Sequence, residues 1–306
     1  MYKLLLIIYC FIFTVEVSAQ TPEEIAKRTQ IANINTILIF TSQDSLTSGI
    51  YRFTNADVEM EVYHLPFIYH FKSNQKYNYF IVGNAGYSKI YLSADVTPPA
   101  GTTLTYENYI GTYTIGLGGG VRYKISDDIG ILGGMEIIYS RSGNSAKTSN
   151  TNIDEPVTNF FNGNKTDNIT YKFFTLAEYR PVFYKFKPYV SLAYKLYQTK
   201  SSFSVDVLRS FSTQSNVTTF TIGSETPKLL KYHDNYLTLE GYFNTNYLGG
   251  DVAKVTGFES YETLGAVSYL YTPNYEYVKR FFLEVSTARS SGLEGYNIGI
   301  GFTARF

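Results

Sequence analysis

Between residues 106 and 125 the chain alternates with a strict period of two. Tyr109, Gly111, Tyr113, Ile115, Leu117, Gly119, Val121, Tyr123 and Ile125 share one face. Asn108, Thr112, Thr114, Gly116, Gly118, Gly120, Arg122 and Lys124 share the other. Only an extended strand separates such a pattern onto two faces. One face is bulky and apolar; the other has no bulk and carries two charges. A strand of a soluble sandwich turns its apolar face to the core and its polar face to water. A strand of a membrane barrel turns the apolar face to lipid and the polar face to the lumen. One strand does not separate these readings, but repetition does.

The alternation recurs. Tyr63, Leu65, Phe67, Tyr69 and Phe71 alternate with His64 and His70, and Tyr171, Phe173, Tyr179 and Phe183 with Lys172, Glu178 and Arg180. Leu237, Leu239 and Phe243 alternate with Thr238, Glu240, Tyr242 and Asn244, and Phe281, Leu283 and Val285 with Arg280, Glu284 and Ser286. Twelve strands are predicted, at about 46–53, 57–71, 77–92, 106–125, 130–141, 167–183, 188–199, 214–223, 235–247, 260–271, 278–288 and 295–306. Connectors 72–76, 126–128 and 185–187 are tight turns. Connectors 97–105, 141–166, 199–213 and 249–259 are longer and polar. Short and long alternate, as in membrane barrels with short periplasmic turns and longer outside loops. With the C-terminus on the periplasmic side, the turns fall correctly for twelve strands, except for a tight outside turn near Ser290–Gly292. The chain ends on Phe306 after Tyr296, Ile298, Ile300, Phe302 and Ala304 at every second position. That ending is similar to the assembly signal of bacterial outer-membrane barrels.

Composition agrees. The 306 residues include 30 Tyr, 22 Phe and no Trp, with 26 basic against 26 acidic side chains. So many aromatics with no net charge exclude a disordered chain, and a pI near 6.8 argues against a nucleic-acid partner. Residues 1–19 read as a signal peptide: Lys3, an apolar run from Leu4 to Phe13, and a Val17-Ser18-Ala19 cleavage site. Ten apolar residues are too few to span a bilayer as a helix. The single cysteine, Cys10, lies in that run and leaves with it; Tyr9 before it does not fit a lipoprotein site. Thr21-Pro22-Glu23-Glu24 is a capping box with Pro at the first helical position. Ile25, Ile31, Ala32, Ile34 and Leu38 follow at roughly helical spacing, so a helix is predicted over 22–38.

The helix, Ile37-Leu38-Ile39-Phe40, the Asp44–Phe53 segment and Leu65-Pro66-Phe67 together resemble the solitary autotransporter-like barrels of Gram-negative bacteria. The resemblance implies a transmembrane antiparallel barrel of about twelve strands, residues 43–306, with residues 20–42 as a helix in the lumen. It implies the bacterial outer membrane as location, with outer-membrane lipids and the barrel assembly machinery as partners. In full autotransporters the helix leads to a secreted passenger; here only Gln20 and Thr21 precede it, so none is expected. Asn33 and Asn35 sit where some autotransporters cleave themselves, and are read here as lumen-facing polar residues.

By parity the lumen receives Arg122, Lys124, Lys172, Arg180, Lys195, Arg280 and Arg305 against Glu136, Glu178, Glu240 and Glu284. These could interlock as a charge network filling a narrow barrel, or line a pore with a weak anion preference. No catalytic group, metal site or cofactor is expected. His64 and His70 lie six residues apart on one strand face, about 20 Å by strand rise, too far to share a metal. His233-Asp234 is an acid–imidazole pair, but it falls near a periplasmic turn rather than the outside rim. The Gly116–Gly120 run lacks a P-loop Lys-Ser/Thr. Its expected role is room, letting another element such as the 22–38 helix pack close. The expected function is thus a translocator-like barrel occluded by its helix. The alternatives are a passive pore for small solutes, an adhesin using the 141–166 loop, or a surface enzyme.

Overall fold

A computed structural model of the chain describes residues 47–54, 58–71, 76–96, 104–148, 165–203, 210–275 and 278–304. The signal peptide, the 20–42 segment, Arg305 and Phe306 lie outside the described residues. The strands are β1 (Thr47–Phe53), β2 (Val58–His70), β3 (Tyr77–Val96), β4 (Leu104–Lys124), β5 (Ile129–Thr148), β6 (Lys165–Tyr179) and β7 (Lys187–Phe203). They continue as β8 (Phe211–Glu225), β9 (Leu230–Tyr232), β10 (Asn235–Gly250), β11 (Ser260–Tyr271), β12 (Val278–Arg289) and β13 (Glu294–Ala304). Among the described residues one helix, α1 (Asp251–Thr256), joins β10 to β11. Each strand pairs antiparallel with its neighbour; β8 pairs with β10, and β13 closes onto β1. The ring has twelve strands, as the alternation predicts. The three-residue β9 pairs with the start of β10, beyond the end of β8.

The outside is apolar. Tyr113, Ile115 and Leu117 on β4 and Tyr296, Ile298, Ile300 and Phe302 on β13 are all more than half exposed, while their polar neighbours Thr112, Thr114 and Asn297 are buried. Stacked rings border this band. Tyr63, Tyr87 and Tyr113 form a row across β2, β3 and β4, with centroids 6.4 and 4.8 Å apart. Tyr77 and Tyr123 form a second pair at 4.9 Å. From Tyr113 to Tyr123 is ten residues, about 33 Å of strand. At a barrel tilt near 40° that spans about 25 Å, the height of a membrane barrel's apolar band.

Strand ends depart from expectation for identifiable reasons. β5 runs to Thr148 rather than 141, because Ser142–Thr148 continues the ladder where the apolar alternation has stopped. β6 ends at Tyr179 rather than 183, because Pro181 cannot donate to a ladder. Beyond it, Phe183 and Phe186 bridge around Tyr184 and Lys185, which both have positive φ (47° and 71°), the geometry of a tight hairpin turn.

The lumen glycines are filled differently from expectation. A Cβ on Gly120 would lie 2.5 Å from the Phe80 ring, and one on Gly134 2.6 Å from Phe174. The two rings sit 6.2 Å apart across the inner wall. The room that glycine leaves on β4 and β5 is therefore taken by side chains of the flanking strands β3 and β6.

The barrel lumen as candidate functional site

Connectors 71–76, 125–128 and 180–186 lie at one end of the barrel, here the turn end; α1 and the longer connectors lie at the other, the loop end, together with the short connectors 54–57 and 290–293. The two halves of the lumen differ in chemistry.

Toward the turn end, the wall is a network of carboxylates, cations and phenols. Arg122 lies 2.7 Å and Arg180 3.3 Å from opposite oxygens of Glu178. The Arg180 guanidinium also lies 4.2 Å above the Tyr189 ring. The Tyr189 hydroxyl donates to Glu240 at 2.6 Å. Tyr271 and Thr238 donate to Glu225 at 2.9 and 2.8 Å, and Lys187 pairs with it at 3.3 Å. Arg280 donates to the Tyr271 oxygen at 2.9 Å and lies 4.0 Å above the Tyr269 ring. Tyr242 donates to Glu284. Deeper in, Lys172 pairs with Glu136 at 3.0 Å, both nearly buried, and Asn84 donates to the same carboxylate. A buried charge is costly unless paired and hydrogen-bonded, so each carboxylate carries donors from strands one or two places away.

The sequence-predicted residues divide as follows. Arg122, Glu136, Lys172, Glu178, Arg180, Glu240, Arg280 and Glu284 sit within this network. Lys195 lines the adjoining cavity. Lys124 is exposed at the end of β4. Arg305 lies outside the described residues. Sequence reasoning missed Tyr189, Tyr269, Tyr271, Lys187 and Glu225. The tyrosines carry no charge to mark them as members of the network, and Glu225 lies past the expected end of its strand. Parity placed Tyr242 on the polar face but gave no partner for it.

A cavity of about 150 Å³ opens beside the network. His64, His70, Arg122 and Lys195 border it together with an apolar group, Ile68, Val82, Leu132 and Leu176. His70 stands against Phe80 at 5.8 Å. Among the described residues no group of three His, Cys, Asp or Glu could hold a metal ion. His233 has positive φ in the β9–β10 turn, and Asp234 beside it accepts from Asn274 at 2.6 Å. That pair is at the turn end.

Toward the loop end, an apolar cluster sits among buried small polar side chains such as Thr112, Ser142, Asn168, Thr199 and Ser215. Tyr51, Met60, Val62, Ile90, Ile110, Ile138, Tyr197, Val217, Leu248 and Tyr261 face inward and are buried. The 249–259 connector, predicted to be a polar loop, folds into this cluster instead. Val252 of α1 is wholly buried, as is Leu293 of the β12–β13 turn; Phe258 is 5% exposed and stacks on Phe53 at 6.3 Å. Gly250 and Gly257, with φ of 76° and 74°, turn the chain in and out. The Val252 N–H donates to Ser215 at 3.1 Å, and Asp251 accepts the Gln214 N–H at 2.9 Å.

An apolar exterior, a polar and partly charged interior and a closed ring without free edges define a transmembrane β-barrel. No family model matches the sequence, and neither does any curated protein. The fold is that of autotransporter translocator domains. The chain superposes on the translocator domain of the autotransporter NalP from Neisseria meningitidis with a TM-score of 0.59, at 11% identity, over 92% of this chain and 96% of that one. It superposes on the transport unit of the autotransporter AIDA-I from Escherichia coli with a TM-score of 0.55, at 10% identity, over 94% of this chain and all of the other.

Proposed function

We propose that the chain is a bacterial outer-membrane barrel of translocator type, exported by the 1–19 signal peptide, with no catalytic role. Its lumen is filled at rest by residues 20–42. One observation carries this reading: beside its charged residues, the wall of the cavity carries an apolar patch. Ile68, Val82, Leu132 and Leu176 line it beside Phe80 and Phe174, and Ile68 is 40% exposed. A lumen serving water and ions gains nothing from such a surface, because apolar area facing water costs about 25 cal/mol per Å². The stripe Ile25, Ile31, Ala32, Ile34 and Leu38 supplies a matching face from the same chain. The charge network serves as an interlocking lining around that segment. Asn33 and Asn35 serve as polar residues toward it, and Phe306 as the contact read by the assembly machinery.

The test is conductance of the refolded barrel in a planar bilayer, with and without residues 20–42. The expected result is a silent full chain and measurable current from the shortened one. Equal steady current from both would make the barrel a passive pore for small solutes and overturn the reading.

A further inference from the structure

The outward face at the loop end is divided by charge. Immediately past the row Tyr63–Tyr87–Tyr113, strands β5, β6 and β7 present Arg141, Lys147, Lys165 and Lys200 with a single acid, Asp167, a net charge of +3. At the same end of β11, β13, β1 and β2 stand Glu262, Glu294, Glu59 and Glu61, with Arg52 on β1 and Arg289 on β12, a net charge of −2. All of these share the parity of exposed apolar residues on their own strands, such as Tyr139, Ile169, Leu192, Ile50 and Leu264. They therefore point away from the lumen.

The basic side continues the tyrosine row in register. Tyr113 stands beside Arg141, Arg141 beside Asp167, and Asp167 beside Ser202; Lys200 stands one step along, beside Ile169. Asp167 holds the Arg141 guanidinium at 2.9 and 3.2 Å and accepts from Tyr139 at 2.5 Å. The Arg141 side chain stays 55% exposed. A fixed, still accessible guanidinium at the edge of an apolar band lies at the depth of lipid headgroups, where basic clusters attract anionic lipid. Its planar fork suits phosphate oxygens. A rim that served only to be solvated would need no sign preference, yet this one is basic on one side and acidic on the other.

We propose that the β5–β7 wall is a docking surface for the phosphate group of a lipid in the leaflet at the loop end. Arg141 and Lys200 are its principal cations, and Lys147 and Lys165 flank them. The inference rests on the transmembrane reading. The lipid is held against the outside of the tall wall, and the acidic side, β11 to β2, repels it.

The test uses the full-length barrel in neutral detergent micelles, with retained lipid counted by native mass spectrometry. The probes are a bisphosphorylated glycolipid, the same glycolipid stripped of phosphate, and inorganic phosphate as competitor. Wild type is expected to retain the phosphorylated lipid and not the stripped one. The double variant Arg141→Gln/Lys200→Gln is expected to need at least tenfold more lipid. Arg141→Lys/Lys200→Arg, which keeps the charge, recovers most of the binding, and Arg52→Gln/Arg289→Gln on the acidic side leaves it unchanged. Heat-modified gel mobility reports that each variant is folded. Equal retention of phosphorylated and stripped lipid, or by wild type and the folded double variant, overturns the inference and leaves the transmembrane reading standing. Displacement by millimolar inorganic phosphate makes this an ion site and overturns the lipid assignment. A chain that does not enter micelles overturns both.

Discussion

The two halves of the lumen are built on the same inward positions of the same strands, yet they are different materials. Toward the turn end, an inward position carries a carboxylate, a cation or a phenol, and its partner comes from a strand one or two places away. Toward the loop end, the inward positions carry small polar residues such as Thr112 and Asn168 around an apolar cluster of Met60, Val62, Ile90 and Leu248, which Val252, Phe258 and Leu293 join. The first half is held by specific polar pairs. The second joins removal of apolar area from water to hydrogen bonds between small side chains, such as Thr112 with Ser142 and Thr170 with Thr199. The polar interior therefore takes two forms in this barrel, charged in one half and uncharged around an apolar cluster in the other. The lesson is that parity tells which way a side chain points, not what medium it meets.

The sharpest way to break the comparison is to place a charge in the apolar cluster at the loop end. Val252→Asp would bury an unpaired carboxylate, which proteins avoid at a cost of several kcal/mol. The expected response is local: α1 leaves the mouth. Trypsin should then cut at Lys254 in the folded variant and not in wild type. In a chain also lacking residues 20–42, current should rise severalfold over the single deletion. Unchanged protease resistance would mean that the apolar cluster is not what seats α1.

A smaller effect is expected from the polar half. Lys172→Met leaves Glu136 buried with Asn84 as its remaining listener, and loss of one partner of a buried pair costs about 3–5 kcal/mol. The double variant Lys172→Met/Glu136→Leu should recover a good part of that loss. Both are read by urea unfolding in micelles, and a harmless single variant would show that the site is wet. The smallest effect is expected from Tyr189→Phe. It removes one donor to Glu240, about 1.5–3 kcal/mol for a hydrogen bond to a charged group, without altering the ring under Arg180.

Much of this was legible from residue order. β4 and β13 needed only their period of two, and Glu136 and Lys172 fell on the inward parity of their strands. Their pairing did not follow from parity, because it depends on the β5–β6 register, and the connecting loop between those strands leaves that register free. The same holds for Phe80 over Gly120 and Phe174 over Gly134: the β3–β4 and β5–β6 registers must be known before glycine and ring meet. Asp251–Thr256 read as loop because six residues between glycines carry too little periodicity to announce a helix. Its meaning lies in two side chains, Val252 and Phe258, that only the closed ring can bury. Glu225 was lost to a strand end set two residues too early.

The ladders around the ring are unequal. Strands β3 and β4 share twenty register pairs, whereas β11 meets β12 in ten. A hoop is as durable as its weakest joint, since parting any one joint turns a closed ring into an open sheet with two bare edges. The lifetime of this barrel in a membrane is then a matter of how fast its weakest joint unzips. Reinforcing the long hairpins would add to its total stability and little to its persistence.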